Sequence, residues 1–171
     1  MVTTLTDRDR AHRAAAAVTD PELPMLTLED LGILREVRIE EDGTVAVWIT
    51  PTYSGCPALA EMRVDVDRAV RAAGFAQVEV RTALSPAWSS DWITDEGRRK
   101  LSEHGISPPG QAPARTSGPV PLTLSPTRTV PRCPLCGGAD TEELSRFGAT
   151  SCKSLHRCRS CLEPFEHVKE I

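Results

Sequence analysis

The chain has 171 residues, 40% of them apolar and only 4% aromatic, with 26% charged and a net charge of −4. An acidic balance with both signs mixed along the chain argues against a protein that coats nucleic acid or lies on a membrane surface, since both need a basic face. No apolar run approaches the ~20 residues of a membrane span, and the N-terminal stretch lacks the apolar core of a signal peptide, so a soluble, cytoplasmic protein is expected.

Residues 7–18 form an Ala-rich helix stopped by Asp20-Pro21. The stretch DPELPMLTLEDLG follows as a loop with a helical turn at Leu28–Leu31. The next eighteen residues read as a hairpin. Ile33, Val37 and Ile39 precede the turn signal Glu41-Asp42-Gly43, and Val45, Val47 and Ile49 follow it in alternation. Leu59, Met62, Val66, Val70 and Ala73 recur at helical spacing up to Gly74. A strand over 76–84, an aromatic-rich irregular loop (SPAWSSDWIT) and a short helix ending near 106 complete a small α+β sandwich domain, residues 7–106. Residues 107–131 hold seven of the fourteen prolines and read as a semi-rigid linker.

Residues 132–171 are too few to build a core alone, but they carry five of the six cysteines. Cys133-x-x-Cys136 and Cys158-x-x-Cys161 are paired knuckle motifs that bring four thiolates to one ion. They predict a four-cysteine zinc ribbon with strands at Glu143–Phe147 and Pro164–Val168. Four thiolates suit Zn²⁺, with an iron site or iron–sulfur cluster as the alternative. Cys152, His156 and His167 are candidate extra ligands, and Cys152 is otherwise a packed thiol or a redox-active neighbour. The module's six basic residues are matched by six acidic ones, so the ribbon is not expected to bind nucleic acid.

Cys56 stands apart. Pro57 suits a first helical turn, which makes Cys56 the predicted N-cap of the helix that follows. There the helix dipole and unpaired amides favour thiolate, with Thr52, Ser54 and the Gly55 N–H as hydrogen-bond partners. The alternative is a small buried hydrophobe. Asp20 and Glu22 either cap the turn at 21–24 or approach Cys56 in space. No histidine is tied to Cys56 by sequence, so the base that a cysteine hydrolase needs is not marked.

The order Asp-Pro-Glu (20–22), Asp-Leu-Gly (30–32), Thr-Pro-Thr (50–52) and Gly-Cys-Pro (55–57), with the later LSPAWSSDWITDEGRRKLSEHGI, resembles the SufT-like iron–sulfur assembly domain. With the cysteine-rich tail, the stretch from about Ala11 to Lys169 is similar to the D-subunit (PaaD, or PaaJ) family of bacterial phenylacetyl-CoA epoxidase (phenylacetate-CoA oxygenase) systems. The resemblance implies a non-enzymatic accessory factor of aerobic phenylacetate degradation. Its partners would be the di-iron oxygenase components and their iron–sulfur flavin reductase, and it would mature them rather than turn over substrate. It also implies that Cys56 is the reactive cysteine, with Asp20, Glu22 and Thr52 around it. Cys133, Cys136, Cys158 and Cys161 match the ribbon's zinc ligands, and Cys152 an additional family cysteine. An aromatic residue is expected where His156 stands. A single cysteine cannot hold a cluster that usually needs four protein ligands, so transient iron or iron–sulfur ligation at Cys56 calls for a homodimer or a partner's ligands.

Overall fold

The computed structural model describes residues 6–53, 55–113 and 130–171. The chain divides into two compact units, Met1–Lys100 and Leu101–Ile171.

In the first unit, helix α1 (Asp7–Ala16) starts at Thr6, whose hydroxyl accepts from the Asp9 N–H while the Asp9 carboxylate accepts from the Thr6 N–H. This reciprocal pair satisfies two amides that the helix leaves open. Strands β1 (Leu34–Ile39) and β2 (Val45–Ile49) form the expected antiparallel hairpin, turned at Gly43 with φ +84°. Helix α2 (Leu59–Ala72) crosses back to β3 (Val78–Thr82), which pairs parallel to β2. The hydrophobic face of α2, Met62, Val66 and Val70, is buried together with Val37, Val45, Val47, Ile49 and Val80 of the sheet. The strand order is β1-β2-β3, so β1 and β3 are both edges. Each edge has a carbonyl taken by an arginine: Arg8 Nε donates to Val37 O at 3.3 Å and Arg63 Nη2 to Val80 O at 3.1 Å. A charged side chain laid on an edge discourages pairing with another chain.

The Asp30-Leu31-Gly32 turn is the pin of this unit. Asp30 is buried, and its Oδ2 accepts from the Thr27 N–H at 2.9 Å and lies 2.7 Å from Lys100 Nζ. Its carbonyl accepts from the Thr94 N–H at 2.9 Å, just before helix α3 (Asp95–Glu103). Gly32 has φ +65°, and a Cβ there would lie 2.5 Å from Trp92 Cβ and 2.6 Å from Trp92 O. The irregular loop between β3 and α3 contains a 3-10 turn at Ser90–Trp92, and the buried Trp88 donates through Nε1 to Leu31 O at 2.9 Å. The loop's aromatic residues thus hold the turn that leads into β1.

The second unit is a four-stranded sheet in the order β4-β7-β6-β5: Ile106–Ser107, Pro164–Val168, Lys153–Cys158 and Thr141–Ser145. Three sequence expectations change here. Ile106 and Ser107, read as the end of the first domain and the start of the linker, form β4, which pairs parallel to β7. The strand expected at Glu143–Phe147 lies at Thr141–Ser145, because Thr141 takes Cys158 as its cross-strand partner and so starts the strand beside the cysteine cluster. The central strand β6 is not marked in the sequence. Its buried side chains include Lys153, Ser154 and His156, so it lacks the apolar alternation that signals a strand. These polar groups are paired: Lys153 Nζ lies 2.6 Å from Glu166 Oε2 and Ser154 Oγ lies 3.0 Å from His156 Nε2. Lys169 donates to Ser151 O at 2.8 Å with its ammonium 4.4 Å above the Phe147 ring. Most of the proposed linker, residues 114–129, lies outside the described residues. No helix among the described residues is long and apolar enough to cross a membrane.

Two outcomes follow for the first unit. All three tryptophans (48, 88 and 92) lie in it, so denaturant titrations of the full chain followed by tryptophan fluorescence read its stability. Gly32→Ala should lower that stability by about 1–3 kcal/mol or more, through strain at positive φ and the collision with Trp92. Lys100→Met should cost about 1.5–3 kcal/mol by removing a charge-assisted bond from a buried carboxylate. Burial alone would raise the Asp30 pKa, but the bonds from Lys100 and Thr27 outweigh it and hold the carboxyl below its ordinary 3.8. A depressed folded-state pKa gives stability that is complete above 3.8 and is lost as pH falls from there through the folded value. Lys100→Met should flatten that acid-side loss, and an unchanged acid profile would show that the pair does not carry it.

Candidate functional site

The antiparallel register places Leu34 at the start of β1 opposite Ile49 at the end of β2, and Ile49 pairs with Thr82 at the end of β3. The Thr50 N–H donates to Ile33 O and the Ala83 N–H to Ile49 O, each at 2.9 Å. Three connections therefore leave one end of the sheet: the loop before β1, the loop after β2 and the loop after β3. Asp20 and Glu22 lie on the first of these and Thr52 and Cys56 on the second. The two loops that carry the four sequence candidates thus join the sheet at the same end.

Their individual settings differ from expectation in two respects. Cys56 is half-buried and is not the N-cap of α2. Pro57 and Ala58 form a tighter turn first, closed by the Leu59 N–H to Cys56 O at 3.2 Å, and α2 begins only at Leu59 with Ala58 as its cap. The Cys56 N–H in turn donates to Tyr53 O at 3.2 Å. The thiol therefore sits on a two-sided loop turn, one turn ahead of the helix end. Asp20 is buried, and its Oδ1 accepts from the amides of Glu22 at 2.9 Å and Leu23 at 2.8 Å. These two bonds make Asp20 a cap of the turn. Glu22 and Thr52 are half-buried. Ser54, a proposed partner of the thiol, lies outside the described residues.

In the second unit the two knuckles converge. The ligand atoms of Cys133, Cys136, Cys158 and Cys161 all lie within 4.8 Å of one another. Cys133 Sγ is 3.8 Å from Cys161 Sγ, and Cys136 Sγ is 3.5 Å from Cys158 Sγ. These spacings are too long for disulfides, and none of the six cysteines is disulfide-bonded. A tetrahedral ion with sulfurs at about 2.3 Å requires neighbouring sulfurs about 3.8 Å apart, so the residues present fit a four-thiolate metal centre. Backbone folds the knuckles into place: the Cys133 N–H donates to Gly138 O, the Gly137 N–H to Cys133 O and the Leu162 N–H to Cys158 O. A Cβ on Gly138 would lie 3.3 Å from Cys136 Sγ and 3.4 Å from Cys158 Sγ, inside the cradle. Cys152 and His156 do not belong to this set of converging ligands. Cys152 Sγ lies 3.0 Å from the Thr150 hydroxyl. The His156 ring stacks on Phe165 at 5.7 Å between centroids, which is the role an aromatic residue would fill.

The electrostatics of the bare thiols point the same way. The Cys161 amide draws the Cys158 thiol down to about 6, with the Ser160 amide assisting and burial opposing. The Gly138 amide pulls on Cys136, yet its thiol stays above the ordinary value because of the bond to Cys158. For Cys161, the lowering bond from the Glu163 amide is outweighed by burial and the neighbouring thiols, which push it up to about 12. Four sulfurs this close cannot all ionise without a cation, and a divalent ion is the partner that lets them.

Comparison with known proteins accords with both halves. Residues 8–82 match the family described as Iron-sulfur cluster assembly protein, and residues 117–169 match the PaaD zinc beta ribbon domain. Over 154 residues, 90% of this chain and 87% of the other, the chain is 42% identical to the "Putative 1,2-phenylacetyl-CoA epoxidase" D-subunit of Escherichia coli (strain K12). It is 32% identical over 90 residues to the Fe-S protein maturation auxiliary factor of Porphyromonas gingivalis (strain ATCC BAA-308 / W83), covering 52% of this chain and 85% of that protein. Among solved structures, the crystal structure of a domain of unknown function (DUF59) from Bacillus anthracis superposes with a TM-score of 0.51 at 24% identity, over 56% of this chain and 91% of that one; the likeness is one of fold. With an iron–sulfur cluster assembly domain followed by a PaaD zinc ribbon, and with identity extending over nearly the whole of both chains, this chain belongs to the D-subunit family of 1,2-phenylacetyl-CoA epoxidases.

Proposed function

We propose that the chain is a cytoplasmic accessory factor of a phenylacetyl-CoA epoxidase system, helping to load iron or an iron–sulfur cluster into the oxygenase components or their iron–sulfur flavin reductase. The reading is carried by one observation: a half-buried, disulfide-free Cys56 on a loop of a domain that matches iron–sulfur cluster assembly proteins, in a chain 42% identical to an epoxidase D-subunit. Cys56 would supply a thiolate to the cargo. Asp20 would act by holding the neighbouring loop through its two amide bonds, with Glu22 and Thr52 flanking the same end of the sheet. Cluster ligation usually takes four protein ligands, so one thiol per chain implies either a homodimer or ligands from the client. Incomplete ligation suits a carrier, because a cargo held by few bonds can leave.

The ribbon's four thiolates would hold Zn²⁺ as a structural crosslink between the two knuckles. Together they would carry a charge of −2, a surface for docking rather than for catalysis. No catalytic role is assigned to the chain. A second reading, a non-catalytic structural subunit of the oxygenase, is favoured by the match to a protein named as a subunit. Co-purification with the oxygenase at fixed stoichiometry would select it, and transient association would select the maturation factor.

Iron, acid-labile sulfide and zinc per chain, measured on anaerobically purified wild type and Cys56→Ser, test the Cys56 site. About one zinc in both is expected from a four-thiolate ribbon, with iron and sulfide in the wild type only. Zinc alone in both would remove the carrier role and leave the structural reading. For the ribbon, stripping the metal with a chelator should abolish amide-exchange protection across Thr141–Ser145, Lys153–Cys158 and Pro164–Val168, because ligand binding and folding are one equilibrium in such modules. Protection that survives metal removal would show that the sheet stands without its ion.

A further inference from the structure

The four ribbon thiols are not equivalent. Cys158 is 0% and Cys133 1% exposed, and both are packed with Phe165 in a small apolar cluster against which Cys161 also lies. Cys136 is exposed. Its neighbours are open as well: Leu135 is exposed, and Gly137, with φ +74°, has nothing within 4 Å of the place a Cβ would occupy. Cys136 is therefore the most open of the four ligand residues, beside a glycine with space around it, while the other three are held in or against the cluster.

We infer that Cys136 is the exchange ligand of the ribbon, the thiolate through which its metal is loaded and withdrawn by an incoming thiolate. The other three sulfurs keep their contacts while Cys136 gives way. In the exchange the incoming sulfur takes the coordination position of Cys136 Sγ, which leaves with its electron pair and takes a proton from solvent, so no electrons change hands. Gly138 limits the motion from the inner side, since the cradle at its Cα admits no further atom without meeting Cys136 and Cys158. This inference rests on the ribbon holding zinc, which metal analysis of the starting material establishes separately, and it is independent of Cys56.

The test uses the full chain loaded with one equivalent of Zn²⁺ under anaerobic conditions. Limiting N-ethylmaleimide is added, samples are quenched over time, and adducts are mapped by peptide mass spectrometry while zinc release is followed with 4-(2-pyridylazo)resorcinol. Cys136 adds through its sulfur to the maleimide double bond, and the resulting carbanion takes a proton from water. Among the four ribbon thiols, the Cys136 adduct should lead those of Cys133 and Cys158 by about tenfold, and zinc release should track it. Labelling of all four in step, or of Cys133 or Cys161 ahead of Cys136, overturns the inference, since the metal would then leave by opening of the whole ribbon or by another ligand. Cys136→Ser should still bind zinc and pass it to the chromogenic chelator about tenfold faster, and an unchanged transfer rate counts against it. Should that variant fail to fold, the wild-type labelling order decides alone.

Discussion

The C-terminal unit depends on the convergence of four sulfur atoms. Among the described residues, apart from two of those cysteines and Pro109 and Pro131, its buried apolar side chains are Leu101, Ile106, Phe165 and Val168, and its buried polar ones are Lys153, Ser154, Ser107, His156 and His167. Four apolar side chains contribute roughly 6–12 kcal/mol when fully buried, most of which is offset by the entropy of ordering the chain. A structural zinc in a comparable module contributes about 10–16 kcal/mol. An ion bound there would decide whether the sheet forms, and the buried Lys153–Glu166 and His167–Ser107 contacts would become tolerable once the knuckles fix their strands.

The N-terminal unit is organised differently. It has a conventional interior of aliphatic side chains, and its specificity comes from a turn whose backbone is used on several sides. Asp30 ties that turn to Lys100 and Thr94, Leu31 accepts from Trp88, and Gly32 yields room to Trp92. The turn sets where β1 begins, and through the pairing of Leu34 with Ile49 it sets where β2 ends and the Cys56 loop begins. Residues distant in sequence thereby fix the platform from which the thiol is presented.

Much of this is legible in the amino-acid order. The hairpin and α2 follow from periodicity, α1 from its alanine content, and the ribbon ligands with β7 from two paired motifs, because regular spacing, helix propensity and metal geometry are local properties. The misses share a cause. Strand β6 hides because its buried positions include a lysine, a serine and a histidine whose pairing is made only within the folded sheet. The pairing of β4 with β7 joins residues about sixty positions apart. The cap at Cys56 is misplaced by sequence reasoning because Pro57 is compatible with a preceding tight turn as well as with the first helical turn. Asp30 and Gly32 stand out only as part of a family pattern, since their contacts with Lys100 and Trp92 are made in space.

The distribution of basic side chains has a chemical consequence. The chain has twenty lysines and arginines, of which only Lys100, Lys153 and Lys169 are amines. Each of these is engaged, with Asp30, with Glu166 and with Ser151 O respectively. Uncharged amines attack thioesters and other acyl donors, and here each of the three lysine amines is held in a contact while the remaining side-chain positive charge is carried by guanidinium groups, which stay protonated. Positive charge is thus displayed with few lysine amines.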